Sequence, residues 1–225
     1  MATDPRNMGR EYDVTALFAA ALLSLIILVT GCQSLNPLPS FGVGDGSPEE
    51  ARVKKLMKWH SGRVEVYREF RTVFTARAVY LSDEIQRLAM DWEARSRLMS
   101  PDERAAFEKK FLGDDTPLIK VLVGFYTPEE EQNDLSAENS VWIPYLKNPD
   151  GTVTRGTCLD VDENNTRIYM RFLKWDLSWS KLYLLHFPYS PDLHNPEDGW
   201  LSMVISGPPG QGEIRLQVIP PDDQP

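Results

Sequence analysis

The chain has 225 residues, which suits one domain of ordinary size plus extra sequence, or two small domains. Hydrophobic residues make up 42% and charged residues 25%, so a core can form, which argues against global disorder. Acids outnumber bases 33 to 24, a net charge of −9 that disfavours a broadly basic nucleic-acid binder, and two cysteines with three histidines are too few for a disulfide framework or a Cys/His-rich zinc module.

The first element is an apolar run at 14–30, VTALFAAALLSLIILVT, free of charge and at the short limit for a bilayer span. It ends in Val29-Thr30-Gly31-Cys32. That tetrapeptide resembles the lipobox of bacterial lipoproteins, in which an aliphatic residue and two small residues precede a cysteine. The resemblance covers residues 14–32 and implies a signal peptide over 1–31 that is removed. It further implies that Cys32 becomes the first residue and carries acyl chains. Several chains on one cysteine anchor a protein stably, at about 0.8 kcal/mol per buried methylene. The ensuing Gln33, where an aspartate would favour inner-membrane retention, implies an outer-membrane site facing the periplasm. The membrane is thus an expected partner, through the lipid on Cys32.

Residues 33–47, QSLNPLPSFGVGDGS, have linker composition. Their root-mean-square reach is about 20 Å, so a domain beyond them can stand off the lipid. With Cys32 they form a flexible tether over 32–47.

The folded domain is expected over 48–219, with a disordered tail at 220–225. Pro48-Glu49-Glu50 predicts a helix start, with proline in the first turn and acids at the positive end of the dipole. From Arg63 to Tyr80 the even positions are mostly apolar and the odd ones mostly charged or polar, which predicts a half-buried strand. A helical reading through Val66, Phe70, Val73 and Phe74 is the alternative. Ser82 resembles an N-cap, followed by an apolar stripe of Ile85, Leu88, Ala89 and Trp92. Ser100-Pro101-Asp102-Glu103 matches a capping box. A helical hairpin over about 82–112 follows.

Later strands are expected at Leu118–Tyr126, Val141–Lys147, Thr152–Leu159, Arg167–Lys174, Lys181–Phe187, Trp200–Ser206 and Glu213–Ile219. Asn148-Pro149-Asp150-Gly151 predicts a tight hairpin, Asn164-Asn165 a second turn, and Pro144 an edge or bulge. No βαβ alternation occurs. The fold class expected is mainly β (α+β), an immunoglobulin-like antiparallel β-sandwich with a helical hairpin inserted between its first two strands.

Asp160-Val161-Asp162-Glu163-Asn164 opens like a calcium loop, since alternate oxygen side chains can converge on a hard cation. The pattern then fails, because Asn165 replaces the glycine and Arg171 stands where a bidentate glutamate belongs. Asp160, Asp162 and Asn164 are therefore weak metal candidates, and no metal or other cofactor is expected. Glu129, Glu130, Glu131 and Asp134 read as a solvated acidic loop. Cys158 at a strand end reads as an inert thiol; an intermolecular disulfide or a nucleophile are alternatives, the latter unsupported by motifs around His60, His186 or His194.

Trp142, Trp175, Trp179, Trp200, Tyr145, Tyr183 and Tyr189 enrich the second half in aromatics, which mostly fill cores. Trp175 and Trp179 are the exception, since two rings four apart in a turn-like segment do not both point inward easily. They are the candidate ligand-binding residues. No GxSxG, HExxH, Ser-x-x-Lys or phosphate-loop motif is present, and Gly-Pro-Pro-Gly-Gln-Gly at 207–212 reads as a plain loop. The expected function is a non-enzymatic binding or assembly module with a protein partner in the envelope. A glycan-binding module and an envelope hydrolase are the alternatives.

Overall fold

The computed structural model describes residues 46–112, 117–148, 150–159, 168–194 and 198–219. The chain divides after Val43 into two units, and every described residue belongs to the second. Cys32, the apolar run at 14–30, Asp160, Asp162, Asn164, the Asn164-Asn165 turn and the tail at 220–225 lie outside the described residues.

Helix α1 (Pro48–Trp59) begins as its chemistry demands: Ser47 caps it by accepting from the Glu50 amide, and Pro48 occupies the first turn. Strands β1 (Ser61–Arg68) and β2 (Arg71–Tyr80) follow as an antiparallel hairpin. The single strand expected over 63–80 is thus two, folded back at Glu69-Phe70. A bulge explains why alternation hid the turn. Beside the turn Tyr67 faces Thr72, whereas beyond it Val66 faces Phe74 and Val64 faces Ala76. One extra residue in β2 restores even parity to the inner face of both strands, so the period runs unbroken through the fold-back.

The turn itself is strained. Glu69 and Phe70 both have positive φ, 50° and 67°, in a two-residue loop that favours an Asn-Gly pair. Replacing Glu69 by asparagine together with Phe70 by glycine (E69N/F70G) is expected to stabilise the domain by about 1–2 kcal/mol. An unchanged urea midpoint would count against that strain.

Helices α2 (Asp83–Ser96) and α3 (Pro101–Leu112) form the inserted hairpin. Ser82 caps α2, and the Ser100–Glu103 box closes reciprocally, the Ser100 amide on Glu103 Oε2 and the Glu103 amide on Ser100 Oγ. Strand β3 (Leu118–Tyr126) returns to the sheet beside β2. Strands β4 (Ile143–Lys147) and β5 (Val153–Arg155) are joined through the turn at Asn148–Gly151, where Gly151 takes φ 87°. Pro144 sits where β5 leaves its neighbour, and its carbonyl accepts from the Gly156 amide. Strands β6 (Thr157–Leu159), β7 (Lys181–Pro188), β8 (Trp200–Gly207) and β9 (Gly210–Gln217) complete the fold.

Two antiparallel sheets result, in the orders β1-β2-β3-β7-β6 and β5-β4-β8-β9. The chain is an α+β sandwich. The expected strand over 152–159 is split at Gly156, its halves pairing in different sheets. A Cβ at Gly156 would lie 2.4 Å from the Phe187 ring, so only glycine lets the chain cross there.

The strand expected over Arg167–Lys174 is corrected. Residues 168–170 are helical, and Ile168, Tyr169 and Phe172 are all buried. Their spacing gathers one helical face; a strand would have turned Tyr169 and Phe172 to opposite sides.

Two cores follow. Between the sheets lie Phe74, Phe125, Trp142, Leu146, Leu185, Phe187, Met203 and Ile205. On the opposite face of the five-stranded sheet, Val53, Leu56, Ile85, Trp92, Phe111 and Phe172 pack over Val79 and Leu122. The helices thus form a third layer that covers one part of that face. Arg171 fastens the 168–172 turn to α2, lying 3.9 Å over the Trp92 ring with its guanidinium toward buried Glu93. No helix among the described residues is long and apolar enough to cross a membrane.

Candidate functional site

Where the helical layer stops, the outer face of the five-stranded sheet is open. On β2 and β3 the paired residues Arg77↔Gly124 and Thr75↔Tyr126 form the floor of a groove. The segment 175–180 makes its wall, and the space enclosed is about 360 Å³.

Gly124 decides how the wall sits. A Cβ there would lie 3.2 Å from Trp175 Cε3 and 3.5 Å from Leu177 Cδ2, so the missing side chain is the seat of the half-buried indole. The turn after it is fixed by Asp176, whose Oδ1 accepts from the Ser178 hydroxyl (2.6 Å) and amide (3.0 Å). The Ser178 hydroxyl and then its amide, with a contribution from Arg77, hold the Asp176 carboxyl below its ordinary value. Trp179 is turned out, 78% exposed. The groove therefore offers aromatic surface from Trp175, Trp179 and Tyr126, one guanidinium, one carboxylate and several hydroxyls. Asp176 is the single carboxylate among its lining residues, whereas glycoside hydrolysis uses two.

Of the sequence candidates, Trp175 and Trp179 come together here. Sequence reasoning missed Thr75, Arg77, Gly124 and Tyr126. The available signal was Gly124, a lone glycine inside an apolar strand, which marks close approach by another group. The other aromatics divide: Trp142 and Tyr183 are buried, Tyr145 is half-buried, and Trp200 and Tyr189 are largely exposed. In the acidic loop Glu130 and Glu131 are exposed on a short 3-10 turn. Burial pushes the Asp134 carboxyl up, but bonds from the Ser136 hydroxyl and amide and the Ala137 amide win and hold it below its ordinary value. The plain loop expected at 207–212 is corrected: Gly207 ends β8, 208–209 make the hairpin turn, and 210–212 begin β9, paired with β8. Cys158 is half-buried on β6 with its side chain against the inter-sheet core.

His60 lies in the interior, and His186 is half-buried on β7. His60 is fully buried, with Nδ1 against the Gln217 carbonyl and its ring edge-on to Tyr80. Burial lowers its pKa, despite the opposing pull of the Gln217 carbonyl. Burial, then the charge of Lys120, pushes His186 down to about 4. For His186 the unfolded chain takes up the proton near pH 6.5, whereas the folded chain resists until nearer pH 4, and burial shifts His60 in the same direction. Stability is expected to fall as pH drops through that window and to be insensitive to these groups above it. Urea midpoints at pH 7.5, 5.5 and 4.5 check this, with a shallower fall expected for His186→Gln.

No protein-family model matches the chain, and neither a curated protein nor a solved structure matches it.

Proposed function

We propose that this protein is a lipid-anchored, non-enzymatic binding module of a bacterial cell envelope, with its recognition site in the Trp175–Trp179 groove. The observation that carries the reading is the exposed Trp179 indole beside a groove whose wall is seated on Gly124. Exposing a large ring forgoes its burial, and the turn closed by Asp176 on Ser178 sets the backbone that leads into Trp179 at the groove. Val29-Thr30-Gly31-Cys32 after the apolar run supports the anchor, and the 33–47 linker supports a domain that reorients above the lipid. Gln33 favours the outer membrane, facing the periplasm. The face-to-face antiparallel sheets support an immunoglobulin-like reading of the sandwich. An assembly role with an envelope protein belongs to the same proposal.

Replacing Cys32 by serine tests the anchor. The variant is expected to leave the membrane fraction and the detergent phase for the aqueous phase. Unchanged membrane retention would contradict acylation.

A further inference from the structure

We infer that the groove on the outer face of β2 and β3 binds a neutral oligosaccharide, with Trp179 as its stacking platform. The inference deepens the binding-module reading above and rests on it.

The backbone of the floor excludes one common mode of peptide recognition. Thr75 and Arg77 are paired with β1 on one side and β3 on the other, and Gly124 with β2 and β7. No free strand edge is offered there for a peptide to join. What remains are ring faces and planar polar side chains. A pyranose has the complementary surface: an apolar C–H face for an indole, rimmed by hydroxyls that donate and accept.

The polar groups suit that rim. Asp176 Oδ1 is used by Ser178, which fixes the plane of the carboxylate and orients Oδ2 as a further acceptor. Arg77 supplies donors in the same lining, and its charge acts on the same carboxylate. One guanidinium and one carboxylate leave the lining formally uncharged, which favours a neutral ligand over phosphate or polyanion.

The face continues beyond the cavity. Glu65 on β1 pairs with Thr75, and Tyr67, 60% exposed, donates its hydroxyl to Glu65. Tyr67 and Glu65 thus lie on the same outward face, Glu65 two strands from Tyr126 and about 10 Å away at ordinary strand spacing, Tyr67 two residues further along β1. Aromatic and polar groups recur across three strands, as an extended polymer requires and a single small molecule does not.

The full chain in detergent micelles would be titrated with the β-1,4 tetramers of N-acetylglucosamine and of glucose and with maltotetraose. Calorimetry gives the affinity, and tryptophan emission the site. At least one tetramer is expected to bind and shift the emission. Trp179→Ala should weaken it about tenfold or more, and Asp176→Asn by less. Tyr67→Ala should weaken the tetramer but not the corresponding disaccharide. Phe70→Ala, at the exposed hairpin tip, should change nothing. Equal binding by wild type and Trp179→Ala, or no binding of any tetramer, would overturn the inference. So would a photo-crosslinker at position 179 that captures a protein in intact cells while the sugars fail. The Cys32→Ser partition is independent, so failure of the glycan assignment and failure of the anchor are distinguishable.

Discussion

Replacing Trp142 by alanine is expected to destabilise the domain by about 3–5 kcal/mol, enough to leave it barely folded at 25 °C. Its ring is 1% exposed and stands at the centre of the inter-sheet core. The centroids of Phe74 and Phe125 lie 5.0 and 5.6 Å from its own, at edge-on angles of 65°. Removing it opens a cavity that rigid strands on both sides cannot collapse. It also orphans a hydrogen bond, because Trp142 Nε1 donates to the Gln132 carbonyl at 3.0 Å and so pins the 127–142 connection between the two sheets. Phenylalanine at 142 should recover part of the packing but not that bond. Urea unfolding of the three chains checks this; a loss below about 1 kcal/mol for Trp142→Ala would mean that the ring is not central.

Gly62→Ala is the second large effect, about 3 kcal/mol. Gly62 lies in β1, at the edge of the five-stranded sheet, where β9 of the other sheet passes close by. A Cβ there would be 2.5 Å from the Arg215 carbonyl oxygen and 2.6 Å from Ile214 Cγ2. A side chain can swing aside, but the Arg215 oxygen belongs to the β8–β9 ladder and moves only with the strand. The expected result is a drop in the urea midpoint together with loosened amide protection along β9. Gly151→Ala is the contrast: a Cβ there meets nothing within 4 Å, so only its positive φ of 87° is penalised, by about 1 kcal/mol.

The starts of α1, α2 and α3 and the Asn148–Gly151 turn were legible because their signals are local. Ser82, the Ser100–Glu103 box and Asn148–Gly151 each satisfy backbone groups within a few residues, so the sequence carries the whole mechanism. The β1–β2 turn was not legible, because the bulge after Phe70 preserved parity and no glycine marked the positive φ. The sheet change at Gly156 is a tertiary event, decided by the position of the Phe187 ring. At 168–172 aromatic and β-branched residues read as strand, and burial on one helical side overrode that preference.

The groove was half legible. Trp175 and Trp179 stood out by spacing, since the segment could not bury both. Arg77, Thr75 and Tyr126 were invisible as partners, because strand pairing across a long insertion brings them there: Arg77 and Gly124 are neighbours only after the helical hairpin between them has folded.

The most direct measurement is the mass of the amino-terminal peptide of the mature protein isolated from membranes. Lipid anchoring predicts a peptide that begins at Cys32 and carries acyl chains on its sulfur and its new amino group. A peptide that begins elsewhere, or that holds an unmodified thiol at position 32, would contradict it.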